Sequence, residues 1–404
     1  MKRLEWLALA LAAGPAFAQL HAVVTLDEVL RIVERSPRVA VSQREADMAR
    51  ADRAAAGALP NPSLSLGRST PSSGERTIFD ASSQQQATVE LPVPIFGQRG
   101  ARMRAADFQV GRAESQVRLT AAEIRRLGGL AFVRLLAAQE QLAARRSALG
   151  DVERIRGVVA GRQESGMASR YDLARADAEL ALASLGAQRS QTEIHEQAAA
   201  LAALADAPGW RPQALGSLVN LKADWAEVET DLAANPAQRL ARAETEAAEA
   251  RIELARRERY PVPSVSLGRT WTSGPFGSAN FVGVTSEIPI LDNRRALEDR
   301  ANAEAAAARE RERATTAALR AELQKQRDSL RVRREALERF EGAVAQRQPA
   351  FLEMAENAYR LGRGTLFELL DARRTQLEAA IARLELLAAI VEAQVELRSL
   401  GGNL

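Results

Sequence analysis

Two stretches decide the reading: Arg-Gln-Glu-Ser-Gly-Met-Ala-Ser-Arg-Tyr-Asp-Leu at residues 162–173, and Tyr-Arg-Leu-Gly-Arg-Gly-Thr-Leu-Phe-Glu-Leu-Leu-Asp at residues 359–371. Each is a short Gly-containing break between two long Ala/Leu/Arg-rich segments, and in each an acidic residue follows as the apolar period resumes. The breaks lie about 196 residues apart, roughly half the chain, so one structural unit is used twice.

Working outward, the segments on either side read as very long helices. Residues 99–165 and 294–348 have no proline before Gln348. Sixty-odd helical residues make a rod of roughly 90–100 Å. Leu135, Leu142 and Leu149 are spaced by seven, as are Leu323, Leu330, Leu337 and Val344. The return segments repeat this with Leu173, Leu180, Ala187, Ile194 and Leu201, then Leu370, Leu377, Leu384 and Val391. Sevenfold apolar spacing predicts a coiled-coil seam.

Upstream of each rod the period changes. Pro-Ser-Leu-Ser-Leu-Gly-Arg at 62–68 and Pro-Ser-Val-Ser-Leu-Gly-Arg at 263–269 differ at one position and alternate in polarity, which predicts strands. A Ser/Gly/Pro-rich loop and a second strand follow each. The first repeat is expected over 19–207, with helices about 27–58, 99–165 and 168–206 and strands about 63–70 and 84–92. A connection spans 208–224. The second repeat covers 225–404, with helices about 225–259, 294–361 and 365–400 and strands about 263–272 and 280–289. Thr25 and Glu28 form a capping box at the first helix, which Ser36-Pro37 interrupts. The fold class is therefore mainly α with a small β part.

Composition narrows the function. The chain has 404 residues, 46% hydrophobic and only 4% aromatic, with a net charge of +3 and no dense basic tract, which does not favour nucleic-acid binding. It has no cysteine, which removes disulfides, thiolate chemistry and Cys-based zinc sites. Residues 1–18 read as a signal peptide: Lys2 and Arg3, an apolar run, then Ala16-Phe17-Ala18 as cleavage site. With no cysteine after it, N-terminal lipidation is chemically excluded. No later segment offers about twenty uninterrupted apolar residues, so no transmembrane helix is expected. His21 and His195 are the only histidines, and no nucleophile, phosphate-loop or metal-spacing motif is present, so neither an enzyme, a cofactor nor a resident metal is expected.

The strands admit two readings, a soluble hairpin or part of a bilayer-spanning barrel. Four strands cannot close a barrel, and an open edge in lipid leaves backbone groups unpaired. If they enter a membrane, several chains must pool them.

The turn at 359–371 with the following Ala-Arg-Arg-Thr-Gln, the segment Leu-Pro-Val-Pro-Ile-Phe-Gly-Gln-Arg at 91–99 and the duplicated plan resemble the TolC family of outer-membrane efflux proteins, over nearly all of residues 19–404. The short chain is similar to the heavy-metal (CzcC/CusC-like) branch. The resemblance implies a homotrimer with a twelve-stranded outer-membrane barrel continued by a periplasmic helical tunnel. It implies an exit duct for an inner-membrane pump, joined by a periplasmic adaptor. It places adaptor docking at Gly166, Met167, Ala168 and Ser169, and at Gly362, Arg363, Gly364 and Thr365. Those glycines can equally serve only the helix reversal. It makes Glu368 and Asp371 a carboxylate ring at the tunnel aperture, against the alternative of two acids answering a helix dipole. Asp172 and Tyr359 match tip-latch positions, and Arg363 stands in for an Arg the family often has where this chain has Gly364. A type I secretion conduit shares the fold. A soluble periplasmic adaptor is the remaining alternative, although an adaptor has one helical hairpin and this chain has two.

Overall fold

The computed structural model describes residues 21–70, 83–224, 231–273, 277–345 and 348–404. The expected signal peptide lies outside them. The elements in order are β1 (Val23–Val24), α1 (Leu26–Val33), α2 (Pro37–Ala56), β2 (Ser63–Ser69), β3 (Gln84–Pro92), α3 (Gln98–Glu164), α4 (Arg170–Leu204), β4 (Gln213–Ala214), α5 (Leu218–Asp224), α6 (Pro236–Glu258), β5 (Ser264–Thr272), β6 (Ser278–Thr285), α7 (Arg295–Phe340), α8 (Gln348–Arg360) and α9 (Leu366–Leu400).

α3 is the spine. Its 67 residues extend for about 100 Å. It packs along α2, α4, α6 and α9, and also meets α1 and α5. Such crowding needs small residues at the crossings. A Cβ on Gly128 would come within 2.9 Å of Val33 Cγ2, and one on Gly129 within 3.2 Å of Val395 Cγ1. The main core gathers here, with Phe132, Leu135, Leu201, Leu218, Leu387, Ile390 and Val395 buried together. The heptad leucines supply much of it: Leu135, Leu142, Leu201, Leu330, Leu337 and Val391 are buried. Burying one such side chain contributes about 1.5–3 kcal/mol, so the seam outweighs the exposed ion pairs that flank it.

The connection at 208–224 is not a bare linker. β4 pairs in parallel with β1, Val23 with Gln213 and Val24 with Ala214. Gln139 of α3 accepts from Ala214 N–H at 2.8 Å, and Glu140 accepts from Leu218 N–H at 2.9 Å. Trp210 donates its indole N–H to His21 O at 3.0 Å. Paired backbone groups therefore tie the connection to the first half around the middle of α3.

The expected helix over 294–361 is interrupted. α7 ends at Phe340, a π-turn spans Glu341–Ala345, and α8 starts at Gln348. Pro349 has no amide hydrogen and cannot continue a helical ladder from the preceding turn. Arg383 of α9 holds Glu341 at 2.7 Å, on the first residue of the π-turn. The expected helix over 27–58 is likewise two helices, parted at 34–36, where Pro37 is the first residue of α2. The capping box of α1 is formed: Glu28 accepts from Thr25 N–H at 2.8 Å, which holds its carboxyl below the ordinary range. Within 225–259, residues 225–230 lie outside the described residues, and the helix proper is α6.

The strands form one antiparallel sheet in the order β2-β3-β5-β6. Residues Leu64, Val89, Leu267 and Val282 face one another in a single row. The adjoining row is Leu91, Val265 and Val284. Leu66 continues the same face on the other side, in a row with Ala87, Arg269 and Asn280. None of the described residues covers this face: Leu66 is 76% and Val282 75% exposed. The opposite face carries Ser65, Gly67, Gln86, Thr88, Ser266 and Thr270, all small or polar. There Phe281 lies over Gly268, where any Cβ would sit inside its ring. Strands of 7 to 9 residues extend roughly 23–31 Å. At a tilt of about 40° they cover roughly 18–24 Å of an apolar band about 25 Å tall. β6 ends at Thr285, short of the expected 289, because its partner β5 begins at Ser264, which pairs with Thr285. Among the described residues no helix is long and apolar enough to cross a membrane.

The glycines of α3 separate packing from propensity. Gly128→Val should lower the thermal midpoint of helix loss, since overpacking costs about 1–3 kcal/mol. Gly157 has nothing within 4 Å of a Cβ, so Gly157→Ala should raise it, by about 1 kcal/mol of helix propensity. Circular-dichroism melts of the two variants check both signs.

Candidate functional site at the helical turns

The two turns are built alike, bond for bond. Gly166 has φ +75° and Gly362 φ +70°, a left-handed conformation that glycine adopts without strain. Met167 N–H donates to Arg162 O at 2.7 Å, and Arg363 N–H to Ala358 O at 2.9 Å. Gly166 N–H donates to Gln163 O, and Gly362 N–H to Tyr359 O. These bonds close the last carbonyls of α3 and α8. Gly364 has a second reason to be glycine: a Cβ there would lie 3.0 Å from that of Ala358.

The helices that leave the turns start with matching capping boxes. Ser169 caps α4: its Oγ accepts from Asp172 N–H at 3.0 Å while Asp172 accepts from Ser169 N–H at 3.0 Å. Thr365 caps α9 in the same way, with Glu368 accepting from its N–H at 2.8 Å. Asp172 and Glu368 thus occupy equivalent positions and satisfy orphan amides of a first helical turn. Glu368 and Asp371 are exposed one turn apart on α9, facing away from a small core of Leu366, Leu369, Leu370 and Ala372. That core includes Ile155 and Val159 of α3, Ala176 of α4 and Leu352 and Tyr359 of α8, so it binds both hairpins near their turns.

The turns are joined by a residue to which the sequence assigns no role. Arg162, in the last turn of α3, donates Nη1 to Tyr359 O at 3.0 Å and Nη2 to Arg360 O at 2.9 Å. Its guanidinium also sits 4.5 Å from the centroid of the Tyr359 ring, and Tyr359 is buried beneath it. Asp172 and Tyr359 are not hydrogen-bonded to each other among the described residues; the Asp172 carboxylate bonds to its own cap. Arg363 lends its backbone N–H and leaves its side chain exposed. The signal in the sequence was an arginine one turn ahead of a C-terminal glycine, where a cation can answer helix carbonyls.

Further contacts bind α4 and α9. Arg175 lies 4.7 Å from the ring centroid of Phe367. Arg374 reaches Glu179 at 3.1 Å. Largely buried Arg373 pairs with Asp151 of α3, and Glu356 of α8 lies 3.9 Å away. At and just beyond the turns, Met167, Tyr171, Leu361 and Phe367 expose large apolar side chains. No cluster of metal-ligating side chains is found among the described residues.

Two long helical hairpins, each fed by a strand pair that shares one sheet with apolar and polar faces, define a membrane-anchored conduit subunit rather than an enzyme. The family model described as "Outer membrane efflux protein" matches residues 30–206 and again 228–403, and the chain belongs to that family. It is 24% identical over 386 residues to the cobalt-zinc-cadmium resistance protein CzcC of Cupriavidus metallidurans, covering 95% of this chain and 89% of that one. It is 28% identical over 288 residues to the nickel-cobalt-cadmium resistance protein NccC of Alcaligenes xylosoxydans xylosoxydans, covering 68% of this chain and 63% of that one. Its fold is that of the Vibrio cholerae outer membrane protein VceC, with a TM-score of 0.75 at 18% identity over 93% of this chain and 96% of that one.

If Arg162 holds the turns together, Arg162→Ala should speed amide exchange at 166–168 and 362–364 on the order of tenfold, as expected for losing about 1.5 kcal/mol. Arg162→Lys should not restore protection, because an ammonium cannot fork across two carbonyls. Unchanged exchange would show that the core beneath suffices.

Proposed function

We propose that the chain is the outer-membrane exit duct of a tripartite efflux system, three copies pooling four strands each into a twelve-stranded barrel continued by a helical periplasmic tunnel. The observation that carries this is the sheet: one face is mostly apolar and uncovered by the described residues, the other mostly small and polar, and the outer edges of β2 and β6 have no partner strand among the described residues. Apolar outward and polar inward is the alternation of a barrel wall between lipid and water. In this reading the barrel holds the chain in the membrane.

The turns are the tunnel's periplasmic tip in this reading. The docking turns, Gly166, Met167, Ala168 and Ser169 with Gly362, Arg363, Gly364 and Thr365, set the small residues Gly166, Ala168, Ser169, Gly362 and Gly364 beside exposed Met167, Tyr171 and Leu361. A helical hairpin of an adaptor fits such a surface, its backbone close to the small residues. Arg162 and Tyr359 form the latch within each copy, and Asp172 acts by capping α4. Glu368 and Asp371 line the aperture, three of each around the axis. Clustered carboxylates attract cations.

The cargo we propose is divalent metal cations, following the metal-resistance relatives CzcC and NccC. With two histidines and no cysteine the chain conducts passively, and selectivity belongs to its partners.

Deleting the gene should raise sensitivity to cobalt, zinc or cadmium, and the full chain should restore resistance. Loss of one exported polypeptide with metal resistance intact would establish the type I secretion role instead. In planar bilayers, replacing Glu368 and Asp371 with Ala should weaken pore block by divalent or trivalent cations at least tenfold; unchanged block would place the aperture elsewhere.

A further inference from the structure

The mostly apolar face of the sheet changes character along its length. The connections from α2, to α3, from α6 and to α7 all meet the sheet at the end where Ser63, Pro92, Ser264 and Thr285 lie. From that end the face runs through Val265 and Val284, then Leu64, Val89, Leu267 and Val282. Toward the far end it carries Arg269 beside Asn280, and then Arg68, Gln85 and Trp271 in one row. Both arginines are exposed. No Asp or Glu of the four strands lies on this face; their one acid, Glu90, is on the other.

The Arg269 side chain shows which way leads out of the apolar zone. Its Nη2 donates to Ser278 Oγ at 2.9 Å, and its guanidinium lies 5.6 Å from the centroid of the Trp271 ring. Ser278 and Trp271 pair with each other, two residues farther from the helices than Arg269. The guanidinium therefore leans toward the far end, as a long cationic side chain does when its stem crosses apolar surface and its charge seeks water. An arginine in a lipid-facing position costs most at mid-bilayer and little near the interface, where aromatic girdles also lie. Arg68, Arg269 and Trp271 thus mark where this face leaves hydrocarbon.

We propose that Arg68 and Arg269, with Gln85 and Trp271 between them, bind the phosphorylated headgroup of a lipid in the outward-facing leaflet, whose acyl chains lie along the apolar rows below. The inference rests on the barrel proposed above, which sets the helices in the periplasm and so puts this end of the sheet at the outer surface. Arg68 pairs with Gln85 and Gln85 with Trp271, so Arg68 stands two strands, or about 10 Å, from Trp271. Arg269 leans into the same row, so the two cations can grip both ends of one headgroup. Guanidinium matches phosphate oxygens with forked N–H donors, and the Ser278 hydroxyl engages one of the donors of Arg269. Basic side chains beside an apolar band are the chemistry that anionic headgroups answer. A lipid satisfies both parts of this surface, the cationic row and the apolar rows; a free anion satisfies only the first.

The test uses the full-length protein extracted from its membrane in mild detergent, with diphosphoryl lipid A as the added probe and bound lipid followed by native mass spectrometry. The wild type should take up lipid A in preference to uncharged diacylglycerol, and excess inorganic phosphate should not displace it. R68Q/R269Q should bind lipid A on the order of tenfold more weakly, as expected for losing charge-assisted hydrogen bonds. R68K/R269K should bind within about threefold of the wild type, because an ammonium still holds phosphate as a point charge. R44Q, on α2, should leave binding unchanged. Lipid A binding unaffected by R68Q/R269Q, equal uptake of diacylglycerol, or displacement by inorganic phosphate would each overturn the lipid site. If the Gln pair fails to insert, the wild-type preference and the Lys pair still decide. The mass in detergent separates the two levels of failure. Three chains without the expected lipid selectivity would overturn this site and leave the barrel. A single chain recovered without detergent would overturn both.

Discussion

In a bilayer every backbone N–H and C=O needs a partner, because lipid tails supply none. The four-stranded sheet satisfies three ladders and leaves the outer edges of β2 and β6 open. The rest of the molecule is arranged around that constraint. The apolar face of the sheet has no cover among the described residues, and exposed Leu59 and Leu291 lie beside β2 and β6 at the open edges. The subunit is stable along α3, where its core lies, and unfinished at its two open sheet edges.

Duplication explains the economy of this plan. One unit, used twice, provides equivalent hairpins, turns and strands. Evolution has then differentiated the copies at a few positions. Asp172 and Glu368 keep the same capping geometry with different reach. Arg162 fastens one turn to the other, while its counterpart Ala358 only lends a carbonyl to its own turn. The first rod is continuous for 67 residues; the second is broken by a π-turn before α8. An interrupted ladder has fewer hydrogen bonds to lose on bending than a continuous one. The first rod is therefore the stiffer of the two.

Most of the secondary structure was legible in the residues because local rules dominate there. Seven-residue leucine spacing is geometric, and so is the alternation in Ser-Leu-Ser-Leu-Gly-Arg. Thr25 with Glu28 sits where it does because orphan amides demand an acceptor. The break before α8 is not legible in the heptad spacing, which runs on through Val344 and masks the effect of Pro349 inside the expected helix. β1 and β4 were missed because two-residue strands have no periodicity; their pairing exists only because Gln139 and Glu140 hold the connection against α3. At the candidate site, the positions of the turns were readable from glycine. The partner of Tyr359 was not, since Arg162 lies nearly 200 residues away and its contact depends on how two hairpins pack.

The sequence by itself determined the duplicated unit, the helical and strand periods, the glycine reversals and the capping acids, because each depends on neighbours within about a turn of the chain. Only the tertiary structure decided which hairpin ends meet, that Arg162 spans them, and that the sheet runs β2-β3-β5-β6 with one mostly apolar face. Those outcomes depend on contacts between residues far apart in the chain, where side-chain volume at crossings such as Gly128 against Val33 selects the arrangement and no local pattern records it.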